Sequence, residues 1–110
     1  DDDVEGARAV IRITLTVYVS LPNYRNYWRA AGYVEEMDAI EAAIEAGNRD
    51  IIHSLMSDTW LDDNTISGSA SHVRQRFEEW AHAGVTPIAV MSSTTGGQVK
   101  AINQLFDIYN

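Results

Sequence analysis

The side chains able to do chemistry are few and scattered. Three histidines, His53, His72 and His82, are the only imidazoles, and none is read as having a second histidine or a carboxylate at a spacing that builds a metal face, as i and i+4 pairs do on one helix. They are expected to be surface or partly buried residues without a ligand role. Asp58, Asp62, Asp63 and Asn64 resemble a calcium loop only superficially, because the central glycine and distal glutamate of such a loop are missing. A solvated acidic turn explains them. The pairs Glu35-Glu36 and Glu41-Glu45 have the residue types of an acid and a base, yet their spacing puts them on the polar side of a helix. No metal site and no catalytic residue is assigned. Gly96-Gly97, between an apolar run and a helical pattern, could offer backbone N–H groups to a phosphate, although neither the dinucleotide fingerprint nor the P-loop spacing is present. Tyr24, Tyr27 and Trp28, at helical spacing, read as core in preference to a cofactor platform.

The elements that must position these residues are mostly helical. Ile11, Ile13, Leu15, Val17 and Val19 alternate with polar or aromatic residues, which is a strand period. Val4, Ala7, Ile11, Leu15 and Tyr18 nevertheless share one helical face behind an acidic start, and a helix is predicted over about 3–19. Pro22 suits the first turn of a second helix, over 22–31, which Gly32 ends. Val34, Met37, Ile40 and Ile44 stripe a helix over 34–46 closed by Gly47. Asn48 can cap a helix over 49–57 with Ile51, Ile52, Leu55 and Met56 inside. Residues 57–67, anchored by Trp60, Leu61 and Ile66, read as an ordered connection with one further helical turn. Ser69 caps a helix over 70–83 that turns Val73, Phe77, Trp80 and Ala81 inward and ends at Gly84. Residues 87–91 form a short apolar run, a strand buried on both faces, with Pro87 tolerated at its start. Residues 92–97 are a loop, and a last helix over 98–109 would bury Val99, Ile102, Leu105, Phe106 and Tyr109.

Composition narrows the partners. The 110 residues carry 16 acidic against 8 basic side chains, a net charge of −8, and no stretch gathers Lys or Arg on one face. Nucleic acid and anionic membranes, which need a cationic footprint, are therefore not expected as partners. The apolar run from Val10 to Leu21 is too short and too polar to span a bilayer, and the acidic start lacks a secretion signal's cationic region. With no cysteine, disulfides and thiol chemistry fall away, which suits a cytoplasmic location. A 45% hydrophobic content is that of a folding chain. The single buried strand is out of balance with the helices, since such a strand needs neighbours on both edges.

Three stretches in order carry a family likeness. They are Leu21-Pro22-Asn23-Tyr24-Arg25-Asn26-Tyr27-Trp28-Arg29-Ala30-Ala31-Gly32, the acidic and alanine-rich helix ending in Ala46-Gly47-Asn48, and Ile66-Ser67-Gly68-Ser69 opening a helix that closes at Ala83-Gly84-Val85. Together they resemble the luciferase-like monooxygenase family, in particular its deazaflavin-dependent branch, over almost the whole chain. The resemblance implies the C-terminal third of a (β/α)8 barrel, a TIM-barrel α/β fold, so that the isolated chain is mainly α with one or two short strands. It makes residues 87–91 the eighth strand and settles the opening segment as helix. Because barrel active sites lie at the C-terminal ends of strands, it places Ser92, Ser93 and Thr94 at a rim facing substrate or coenzyme, with Gly96 and Gly97 bending the loop.

The expected parent is an FMN- or deazaflavin-dependent oxidoreductase or monooxygenase acting on a small organic substrate, by hydride transfer or through a flavin peroxide. The family's principal flavin-contacting and catalytic positions precede these residues, so the chain alone is expected to be inactive and to bind no coenzyme. Open strand edges and apolar helix faces would make it self-associate, and the parent is expected to be a homo-oligomer. The rival reading is a free-standing helical domain whose aromatic and aliphatic stripes bind a partner protein.

Overall fold

The computed structural model describes residues 3–86 and 96–109. It is mainly helical, and no strand occurs among the described residues. Seven α-helices follow in order: α1 (Val4–Val19), α2 (Pro22–Ala30), α3 (Val34–Glu45), α4 (Ile52–Leu55), α5 (Asp58–Asn64), α6 (Ala70–His82) and α7 (Gln98–Tyr109), with a 3-10 turn at Arg49–Ile51 leading into α4. The predicted strand at 87–91 lies outside the described residues.

Local chemistry accounts for most boundaries. The Asp3 carboxylate accepts the Gly6 N–H at 3.0 Å and starts α1. Tertiary burial decides that segment against its strand-like alternation, because Val19 is fully enclosed and Ala7 nearly so. Pro22 opens α2 where its missing N–H leaves nothing unpaired. Helices α2 and α3 both end in a Schellman motif: Tyr33 N–H reaches the Trp28 carbonyl, Asn48 N–H the Ala43 carbonyl, and Gly32 and Gly47 take φ of 106° and 75°. Val85 N–H closes α6 on the Trp80 carbonyl in the same way. At the start of α6 the Ser69 hydroxyl accepts the His72 N–H. Asn48, by contrast, makes no side-chain cap, and its carbonyl accepts the Ile51 N–H of the 3-10 turn. The stretch read as a connection with one helical turn contains all of α5, which Ser57 caps by accepting the Trp60 N–H at 3.1 Å.

The chain divides into two compact units: Arg12–Asn64, and Asp1–Ile11 with Thr65–Asn110. In the unit of residues 12–64, α2 packs on α3, and α3 on α4 and the 3-10 turn. This unit holds the large enclosed side chains Val19, Met37, Ile40, Ile52, Met56, Trp60 and Leu61. Its Ile51, Val34 and Tyr18, expected inside, are exposed; Ile51 ends the 3-10 turn, while its neighbour Ile52 opens α4 and is buried.

In the other unit α6 packs on α7, and Arg74 near the start of α6 donates to the Ile108 carbonyl near the end of α7, so the two helices run antiparallel. Among the described residues of this unit the only hydrophobic side chains that are buried are Ala7 and Ala101. Val73, Phe77 and Trp80 are half-covered and Ala81 is exposed, a correction to its inward placement. The larger correction concerns α7. At about 100° per residue, its apolar side chains fill half the helix circumference, from Ile108 through Ala101, Leu105, Tyr109 and Ile102 to Phe106 and Val99. The part of that arc holding Ala101, Leu105 and Ile108 is covered. Val99 (72% exposed), Ile102, Phe106 (67%) and Tyr109 are open to solvent.

Candidate functional site

The densest grouping of aromatic and polar side chains lies in the unit of residues 12–64, around Trp28. Its indole is nearly buried and meets the enclosed Trp60 ring edge-to-face at a centroid distance of 5.0 Å. The Trp28 Nε1–H donates to Asn64 Oδ1 at 2.9 Å, while Asn64 Nδ2 donates to the Trp60 carbonyl at 2.7 Å. Asn64 thus holds the Trp28 indole from the end of α5 while anchored on the backbone of that helix. Tyr24 and Tyr27, one turn apart on α2, stand beside Trp28 at 5.9 and 6.2 Å, and Tyr18 meets Tyr24 edge-to-face at 5.3 Å. An open cleft of about 450 Å³ results, lined by Leu15, Asn23, Tyr24, Tyr27, Trp28 and Asn64. Trp28 alone behaves as the core residue expected of the aromatic trio, since Tyr27 is 67% exposed.

Ionic contacts hold the elements around this cleft. Arg25, on the inner side of α2, is a buried cation that donates to the Val19 carbonyl at 3.0 Å and lies 3.5 Å from Glu41. Arg29 pairs with Asp38 at 2.8 Å and with Glu41 at 2.5 Å. Its proton is held more tightly than usual, chiefly by the Asp38 hydrogen bond and, against some desolvation, by Glu41. Glu41 is accordingly a counter-ion between α2 and α3, not the solvated surface residue its spacing suggested. Glu36 accepts from the Ser57 hydroxyl at 3.0 Å.

The acidic turn is similarly employed. Asp58 accepts from Arg12, whose Nε also donates to the Met56 carbonyl at 3.1 Å. Asp63 accepts from the Tyr33 hydroxyl at 2.6 Å, and this bond, with burial, raises the tyrosine above its ordinary value. These carboxylates tie α5 to its neighbours. Among the described residues no group of three His, Cys, Asp or Glu side chains could hold a metal ion. His53, His72 and His82 are exposed. Glu78 and His82 stand one turn apart on α6, but Glu78 is engaged by Arg74 at 3.2 Å. On the same helix Arg76 holds Glu79 below the usual carboxylate range.

Of the expected rim, Ser92, Ser93 and Thr94 lie outside the described residues. Gly96 and Gly97 are exposed and open α7, where the Gly97 carbonyl accepts the Ala101 N–H at 3.3 Å. The sequence reading missed the Arg25–Glu41 pair and the roles of Ser57 and Asn64. For Ser57 a signal exists, since a serine followed by Asp58 is an N-cap with an acidic first turn. For Arg25, falling on the inner face of an aromatic helix was the available clue.

No helix among the described residues is long and apolar enough to cross a membrane. No family model matches the sequence, and no curated protein or solved structure does so either.

Proposed function

We propose that these residues form the C-terminal part of a luciferase-like, (β/α)8-barrel oxidoreductase that uses FMN or a deazaflavin coenzyme on a small organic substrate, in the cytoplasm. The observation that carries the reading is the half-covered α7. Its exposed Val99, Ile102, Phe106 and Tyr109 continue the same apolar arc that α6 covers, in a unit whose described residues enclose no large hydrophobic side chain. Covering Val99 or Phe106, the most exposed of these, contributes at most about 1.5–3 kcal/mol each. A wrapper helix facing a sheet has this need, and the motif order from Leu21 to Val85 supports the same assignment.

In this reading the chain supplies outer helices, the closing strand at 87–91 and one rim loop at Ser92, Ser93, Thr94, Gly96 and Gly97. The coenzyme, when bound, supplies the redox chemistry; these residues wrap and shape the barrel that positions it. The test is a titration of the product of the whole coding sequence with reduced FMN and with a reduced deazaflavin, followed by coenzyme absorbance and by turnover. One of the two is expected to bind stoichiometrically and to be reoxidised with substrate, while the 110-residue chain alone turns over neither. A whole product that binds neither would overturn the proposal and leave the open faces to a protein partner, the role of a helical interaction domain.

A further inference from the structure

The cleft beside Trp28 has the makings of a binding site in its own right. Its floor is fixed before any ligand arrives, because Trp28 is clamped between the Asn64 carboxamide and the enclosed Trp60 ring. The walls are different: Tyr24 and Tyr27 are 37% and 67% exposed, so a flat ring laid over them would gain apolar contact with both. At about 450 Å³ the cleft is of small-molecule size.

The polar groups narrow the ligand. No ionised side chain lines the cleft, and the chain's net charge is −8, so an anionic ligand meets no counter-charge and a repelling field. Asn64 spends its carboxamide on the two tryptophans. Asn23 does not: among the described residues no hydrogen bond engages its side chain. A carboxamide offers one donor and one acceptor side by side, the complement of a ring edge bearing an acceptor next to an amino group, as adenine does.

We propose that this cleft binds an uncharged, planar heteroaromatic ring of purine size, held in apolar contact with Tyr24, Tyr27 and Trp28 and recognised through its donor–acceptor edge by Asn23. The site is independent of the redox reading, since it needs neither a coenzyme nor turnover. The test is a titration of the chain with adenosine, followed by tryptophan fluorescence, beside adenosine monophosphate and purine riboside, which lacks the exocyclic amine. Adenosine should quench saturably with a Kd of roughly 0.1–1 mM. The monophosphate and purine riboside should each bind at least about threefold more weakly. Tyr27→Ala and Asn23→Ala, both at exposed positions, should weaken adenosine about fivefold or more with an unchanged far-ultraviolet dichroism spectrum. Quenching by adenosine that does not saturate, equal binding of the monophosphate, or variants that bind like the parent would each overturn the proposal.

Discussion

At Arg25 a full positive charge sits in a side chain only 6% exposed, and the carboxylate that balances it, Glu41, is 41% exposed. The asymmetry matters because deleting the partner of a buried charge strands that charge in a poorly solvating place. Glu41→Gln should therefore cost about 1–2 kcal/mol by denaturant titration, below the cost of breaking a fully buried pair because water still reaches this carboxylate. Asp38, 60% exposed and bonded to the half-buried Arg29, which keeps Glu41 as a second partner, is the contrast: Asp38→Asn should fall within about 0.5 kcal/mol. Equal losses from the two variants would show that Arg25 does not depend on Glu41. Tyr33 gives the pH dependence. Its pKa is raised by the Asp63 hydrogen bond first and by burial second, so the protonated phenol is the form the fold prefers. That contribution is complete below the ordinary tyrosine value of about 10 and is lost as pH rises through the folded value. Tyr33→Phe should flatten the alkaline limb of the stability profile, and an unaltered limb would assign the loss elsewhere.

Among the elements, α5 has the most consequence for its length. Its seven residues carry Asp58, Asp63 and Asn64, which bond to Arg12, Tyr33 and Trp28 on or beside three other helices. Asn64→Ala should cost about 1–3 kcal/mol, because the nearly buried Trp28 Nε1–H loses its acceptor. Gly47→Ala, at a φ of 75°, should destabilise α3 by about 1 kcal/mol or more, although a Cβ there would meet no atom within 4 Å. Elements of this kind differed in how far the sequence disclosed them. The glycine stops, Pro22 and the Ser69 cap depend on residues next to one another in the chain, and they were legible. The role of α5 was hidden because its partners are 30 residues or more away, at Tyr33, Trp28 and Arg12. A run of Asp and Asn looks the same whether it faces water or three helices. Helix α7 failed in the opposite sense: its pattern correctly marked an apolar half-cylinder, but periodicity cannot tell how much of that surface the same chain covers. The cleft was legible only as an aromatic spacing on α2, since Leu15 and Asn64 reach it from distant segments.

Taken as a whole molecule, the chain has one well-filled unit and another that leaves apolar surface in water. The α7 face, with the exposed Val85 in the same unit, is expected to drive self-association of the isolated chain despite its charge of −8. Light scattering should show a mass that rises with concentration, and Phe106→Glu should lower it without loss of helix content. A monomer at all concentrations would mean that these side chains are tolerated in water.

The distribution of tryptophan also turns the fold into its own optical probe. Trp28 and Trp60 lie 5.0 Å apart with their planes at 76°, while Trp80 stands on α6 in the other unit. Two indoles packed this closely sit in a fixed, asymmetric setting, which gives near-ultraviolet dichroism bands that vanish when the packing is lost. Those bands report melting around Trp28, whereas emission from a chain retaining only Trp80 reports the other unit, so the order in which the two come apart can be read spectroscopically.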